Sequence, residues 1–149
     1  MSIPAVVVEV DVPLDPTAAF RLFTEQVASW WPLASHSVFG TNAAELRFPA
    51  GAGCPIVEVS STGEESTWGT VRECDPPDRI LFSWHPGRTS NTAQNVEVTF
   101  TPAPGGTHVR LTHTGWESAG HRAPEVRANY ATGWVMVLEG FTSAAPSVR

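Results

Sequence analysis

Residues 68–86 read WGTVRECDPPDRILFSWHP, two stretches of alternating pattern that meet at Asp75, Pro76, Pro77 and Asp78. Proline has no N–H and fixes φ at about −65°, so a Pro-Pro pair cannot continue a paired strand and must occupy the reversal. The stretch is therefore a β-hairpin. Side chains alternate along a strand, and pairing about this turn sets Val71 opposite Phe82, Glu73 opposite Ile80 and Gly69 opposite Trp84, all on one face. A glycine facing a tryptophan leaves the indole free to lie over bare backbone, which marks this face as the inner one.

Working outward, residues 95–116 form a second hairpin, with Pro102, Pro104, Gly105 and Gly106 supplying the turn. Its alternation sets Phe100 opposite Val109, Val98 opposite Leu111 and Val96 opposite His113, so a histidine takes an inner position. Upstream, a hairpin around Ser61 to Glu65 would set Val57 opposite Val71 and Val59 opposite Gly69. Cys54 and Cys74 then face each other on the outer surface, where a reducing cytoplasm would keep both as free thiols. Glu58 and Arg72 fall on the same outer face and read as a weak surface pair.

The remaining elements follow from period and punctuation. Val6, Val8, Val10 and Val12 alternate with Val7, Glu9 and Asp11 as a first strand. Asp15 and Pro16 cap a helix carrying Phe20, Phe23, Val27 and Trp30, which ends at Trp31 because the following Pro32 disfavours helical backbone there. A loop from Ser35 to Asn42 bears His36 and Phe39, and short strands follow at Glu45–Phe48 and Ile56–Val59. Pro124 and Glu125 open the longest helix, whose Val126, Tyr130, Gly133, Trp134, Val137 and Phe141 form one apolar stripe. Residues 144–149 read as a frayed tail. An antiparallel meander with one apolar face, covered by one long helix, is a two-layer α+β architecture.

Composition bounds the function. The 149 residues make one domain, and a net charge of −6 argues against a nucleic-acid surface, which needs clustered basic side chains. No run approaches the roughly 20 apolar residues of a membrane helix, so no membrane insertion is expected. The start, MSIPAVVVEV, lacks the basic segment and cleavage site of a secretory signal, giving a cytoplasmic expectation. Two cysteines and five scattered histidines show no zinc-site spacing, so neither a metal nor another cofactor is expected.

The phrases AFRLFTEQVASWWPLASHSVFG (19–40), WGTVRECDPPDRILFSW (68–84), VEVTFTPAPGGTHVRLTHTGW (96–116) and GWVMVLEGF (133–141) resemble the SRPBCC branch that holds homologues of the activator of the heat-shock-protein-90 ATPase. The resemblance covers nearly the whole chain and implies the helix-grip fold of the START and birch-pollen-allergen superfamily: a curved antiparallel sheet of six to seven strands wrapped around a long C-terminal helix. It also implies a cavity between sheet and helix that takes apolar small molecules. One departure stands out. Where many relatives carry a Gly-Gly-Arg-aromatic motif, this chain has Gly53-Cys54-Pro55-Ile56, and Pro55 requires the strand to start late or lie at an edge.

Read against that cavity, the candidate ligand-binding residues are Val71, Phe82, Trp84, Val98, Leu111, His113, Tyr130, Gly133, Trp134 and Val137, with Trp31, His36 and Phe39 as a lid. Gly133 and Gly140 share the inner side of the helix and either open space for a ligand or let an indole press on the backbone. The expected function is binding of an apolar or aromatic small molecule. A cyclase- or dehydratase-type enzyme would instead use His113 as acid or base with Tyr130 as a donor to a substrate carbonyl. Glu73, about 13 Å along the sheet from His113 at 3.3 Å per residue, is too far to complete a dyad and is expected to meet Arg79 or a backbone group. A co-chaperone-like interaction domain would need an exposed apolar patch, whereas the stripes point inward. A homodimer is the assembly to test for.

Overall fold

The computed structural model describes residues 3–49, 51–87 and 93–145. Seven strands pair antiparallel throughout: β1 (Val6–Val12), β2 (Ala43–Arg47), β3 (Pro55–Ser60), β4 (Glu65–Asp75), β5 (Arg79–Trp84), β6 (Gln94–Ala103) and β7 (Gly106–Thr114). Their spatial order is β1-β7-β6-β5-β4-β3-β2. The chain thus meanders from β2 to β7, and the first strand closes the far edge. Helix α1 (Pro16–Phe23) follows β1, and helix α2 (Ala123–Ala144, 22 residues) ends the described chain. The sheet curls around α2 as a half-barrel, the helix-grip arrangement.

Strict alternation gives the β6–β7 ladder its register, with Phe100 opposite Val109, Val98 opposite Leu111 and Val96 opposite His113. In β1 the same alternation buries Val6 and Val12 and turns Glu9 and Asp11 to solvent. The Asp15 carboxylate accepts the Ala18 N–H at 2.8 Å, capping α1 as an acidic N-cap followed by proline should. Arg127 on α2 donates to the carbonyls of Pro4 and Ala5 at 2.6 and 3.0 Å, tying the last helix to the approach to β1.

Two bulges redirect the centre of the sheet. In the β4–β5 hairpin Val71 does face Phe82, but Glu73 faces Leu81, not Ile80, because Arg72 is an extra residue. One inserted residue exchanges the two faces of a strand. Beyond it Glu73 turns outward, where its carboxylate lies 2.8 Å from Arg79 Nη1, and Cys74 packs against the core. In the β3–β4 pair Ile56 faces Gly69 and Val57 faces Thr67, so Trp68 is the extra residue and turns inward. The expected pairing of Val57 with Val71 and Val59 with Gly69 is therefore replaced; Ile56 and Glu58 take the fully buried face of β3, and Val57 and Val59 are covered on its other face.

Two local expectations are corrected by the same geometry. Val71 N–H donates to the Cys54 carbonyl, which leaves Cys54 about 10 Å along the sheet from Cys74 at 3.3 Å per residue. The two thiols do not face each other, and both are free. Burial, then the Asp75 charge, holds the Cys74 thiol above its ordinary value, so it stays protonated at neutral pH. Gly69 is not roofed by Trp84: a Cβ there would lie 1.8 Å from the Ser83 carbonyl oxygen, so close approach of β5 backbone is what requires glycine. Pro55 opens β3, at the first strand position, where a missing N–H breaks no interior rung.

The first helix is shorter than its apolar period suggests. It ends at Phe23, the Thr24 hydroxyl donates back to the Phe20 carbonyl at 2.8 Å, and a separate tight turn spans Val27–Ser29. Trp30 and Trp31 follow that turn, and both are buried. At the other end α2 reaches Ala144 and Ala145 is fully buried, so the chain is ordered past Ser143; residues 146–149 of the expected tail lie outside the described residues.

The core has two aromatic centres. Phe23 meets Trp30, Phe48, Phe100 and Phe141 at centroid separations of 5.5–5.9 Å. Trp31 meets Trp68, Trp84 and Trp134 at 5.3, 6.0 and 5.9 Å. Gly140 serves the join between them: a Cβ there would lie 2.8 Å from the Trp30 carbonyl oxygen. It admits the Trp30 backbone first, with the edge of the same residue's indole beyond it at 4.0 Å. No described helix is long and apolar enough to cross a membrane.

Candidate functional site

The second aromatic centre borders a cleft of about 430 Å³. Strand β4 contributes Trp68, β5 contributes Trp84, and Pro86 and Gly87 follow from the β5 exit. Helix α2 contributes Tyr130, Gly133, Trp134 and Val137, and the segment after α1 contributes Trp31, Ser35, His36, Ser37 and Val38. None of these side chains is a carboxylate or a guanidinium. The wall is aromatic on the sheet and helix sides and polar along one edge, where Ser35 Oγ lies 2.7 Å from His36 Nδ1.

The candidates named from sequence separate into layers. Trp84, Tyr130, Gly133, Trp134 and Val137 line the cleft, as do Trp31 and His36 of the expected lid. Val71, Phe82, Val98 and Leu111 are fully buried and lie outside its lining. Phe39 does not line it either; its backbone N–H is fixed on Glu58. Trp31 lines the cleft and holds its polar edge in place, its indole N–H donating to the His36 carbonyl at 2.8 Å.

His113 is fully buried behind Trp134 and is not among the lining residues. Its Nδ1 lies 2.8 Å from the Trp134 indole nitrogen and its Nε2 lies 2.8 Å from Gln94 Oε1. Its ring stacks on Trp116 at a centroid distance of 4.1 Å and leans on Tyr130 at 4.9 Å. A ring with both nitrogens engaged and aromatic neighbours on its faces props the cleft wall from behind. Among the described residues no three of His, Cys, Asp and Glu gather as a metal ion requires.

Glu58 is the residue that sequence reasoning misplaced. Expected in a surface pair with Arg72, it is fully buried and accepts N–H groups from Val38, Phe39 and Trp68. Trp68, Ser35, Ser37, Val38, Pro86 and Gly87 were likewise outside the expected set. The bulge at Trp68 breaks the alternation that would have announced it. A tryptophan set between polar Thr67 and Gly69 in a strand was the available signal.

Comparison with known proteins agrees with this architecture. Residues 13–145 match the family model described as Activator of Hsp90 ATPase homolog 1-like protein. No curated protein matches. Among solved structures the chain is similar to protein MLL2253 from Mesorhizobium loti, at 20% identity over 93% of this chain and 94% of that one, with a TM-score of 0.68. It is similar to an AHSA1-like protein from Aeromonas hydrophila at 19% identity over 97% and 95%, TM-score 0.67. An anthrahydroquino-γ-pyrone synthase, Txn09, is 26% identical over 95% and 97%, TM-score 0.62. With the match running from residue 13 to residue 145, the chain belongs to the family of Activator of Hsp90 ATPase homolog 1-like proteins.

Proposed function

We propose that the protein binds a flat, largely apolar aromatic molecule in the cleft, with one oxygen-bearing edge of the ligand toward His36. The observation that carries this is the lining itself: the rings of Trp31, Trp68, Trp84 and Trp134 converge on a space of about 430 Å³, bordered on one side by Ser35 and His36. Ligand sites are characteristically apolar concavities with few polar groups to set orientation. Aromatic faces favour offset or edge-on contact with another ring. Txn09, whose name carries a fused aromatic ring system, supports the same class of ligand.

Binding is preferred over turnover because of His113. An indole N–H only donates, so Nδ1 of His113 is an acceptor already in use, and Nε2 is spent on Gln94. That leaves no ring nitrogen of His113 for acid–base work on a ligand in the cleft.

A thermal-shift series with naphthalene, 2-naphthol and larger fused phenols tests the reading. A ligand that binds only the folded state stabilises it by about 2.7 kcal/mol at a hundredfold excess over Kd. The expected result is a rise in Tm for the fused-ring series that Trp84→Ala alters in rank order. A flat series, with Tm unmoved at saturating concentrations, would reject it.

A further inference from the structure

Glu58 is a charged side chain with no solvent exposure, surrounded by neutral partners. Oε1 accepts the Val38 N–H at 2.8 Å and the Trp68 indole N–H at 2.9 Å, and Oε2 accepts the Phe39 N–H at 2.8 Å. Removing a carboxylate from water is costly, and here three charge-assisted bonds to N–H groups offset it. An apolar side chain at this position would leave those N–H groups unmet, so the carboxylate earns its place through what it joins. Two of its donors belong to the segment bearing Ser35–Val38, one wall of the cleft, and the third belongs to Trp68, the wall on the sheet.

We propose that Glu58 is the positioning residue of the cleft: one buried carboxylate fixes the 35–39 segment and the Trp68 indole relative to each other, so the two walls hold or loosen as a unit. Its bearing on ligand affinity rests on the function proposed above; the coupling of the walls does not. The oxygen count makes it specific. A glutamine has the same shape but one acceptor oxygen, so in either orientation at least one of the three N–H groups faces an NH2 group. Trp68→Phe withdraws one donor from the other side while keeping an aromatic ring in the wall.

The test is amide hydrogen exchange by NMR at Val38 and Phe39 in the parent chain, Glu58→Gln and Trp68→Phe, with 2-naphthol affinity measured in parallel by titration calorimetry. Both variants should speed exchange at the two amides at least tenfold while β6 and β7 amides stay protected, and should weaken 2-naphthol about tenfold. Trp68→Phe carries the test alone if Glu58→Gln fails to fold. Unchanged exchange at Val38 and Phe39 in Trp68→Phe overturns the coupling. If the variants release the segment while the parent ignores 2-naphthol, the coupling stands and the binding reading falls.

Discussion

The indole N–H of Trp134 donates to Nδ1 of His113 across 2.8 Å, and this single contact fixes the chemistry of the buried histidine. The proton on the imidazole must then sit on Nε2, from which it is donated to Gln94 Oε1 at 2.8 Å. Ring nitrogen shifts of His113 at neutral pH should report the Nε2–H tautomer. His113→Ala removes packing against Trp116 and strands both partners, so a loss of about 2–5 kcal/mol is expected in denaturant unfolding. A stability change under 1 kcal/mol would mean that this network holds little of the wall together.

Two glycines on α2 should respond in opposite directions to the same methyl group. At Gly133 the nearest atom to an added Cβ is His36 Cδ2 at 3.8 Å, an ordinary contact, so Gly133→Ala should stabilise the helix by about 0.5–1 kcal/mol. At Gly140 the nearest atom is the Trp30 carbonyl oxygen at 2.8 Å, backbone that can yield only by moving the chain between α1 and β2. Gly140→Ala should cost about 1–3 kcal/mol, as overpacking does. Thermal melts of the two variants, shifted to opposite sides of the parent, are the expected result; equal shifts would contradict the packing described.

How much of this was legible in the sequence depends on where the alternation survives. Along β6 and β7 no residue is inserted, so Phe100, Val98 and Val96 found their partners by counting back from the turn. The Asp75–Asp78 turn and the Val71–Phe82 pair were equally readable. Beyond Val71 the extra residue at Arg72 turns Glu73 outward, and beyond Ile56 the extra residue at Trp68 brings that indole inside. A bulge changes no residue type, only the count, so the face of every residue past it is hidden from a period-two reading. Glu58 was missed for a related reason: an acid set beside Arg72 on an outer strand face reads as exposed, and its three donors come from a loop and a bulge whose positions only the fold supplies.

On the outer face His108 lies 2.8 Å from Glu9 and 2.9 Å from Asp11, and these contacts, Glu9 foremost, hold its pKa above the ordinary 6.5. A proton held more tightly in the folded chain than in the unfolded one stabilises the fold fully below pH 6.5, and this contribution is lost as pH rises through the raised folded value. The imidazole signals of His108 should therefore titrate with a midpoint above 6.5, and Glu9→Gln should lower that midpoint. The site is exposed, so added salt should shrink the shift. A midpoint unmoved by Glu9→Gln would show that the pair does not persist in solution.

Trp84 and Trp134 offer a matched comparison, because their rings lie 5.2 Å apart and both line the cleft, yet among the described residues only the Trp134 indole N–H has a partner. The Trp134 N–H is spent on His113, whereas the Trp84 N–H is buried and has no hydrogen-bond acceptor among the described residues. Replacing either ring by phenylalanine deletes similar apolar area, but at Trp134 it also leaves Nδ1 of His113 unmet, and at Trp84 it removes an unsatisfied donor. Trp134→Phe should therefore be less stable than Trp84→Phe by about 1–3 kcal/mol in urea unfolding. The comparison also reaches the ligand. A fused-ring phenol whose oxygen approached Trp84 would lose more affinity for the Trp84→Phe protein than the matching hydrocarbon, and calorimetry with 2-naphthol and naphthalene separates the two. Equal loss for both ligands would fit the proposed placement of the oxygen edge at the polar border formed by Ser35 and His36.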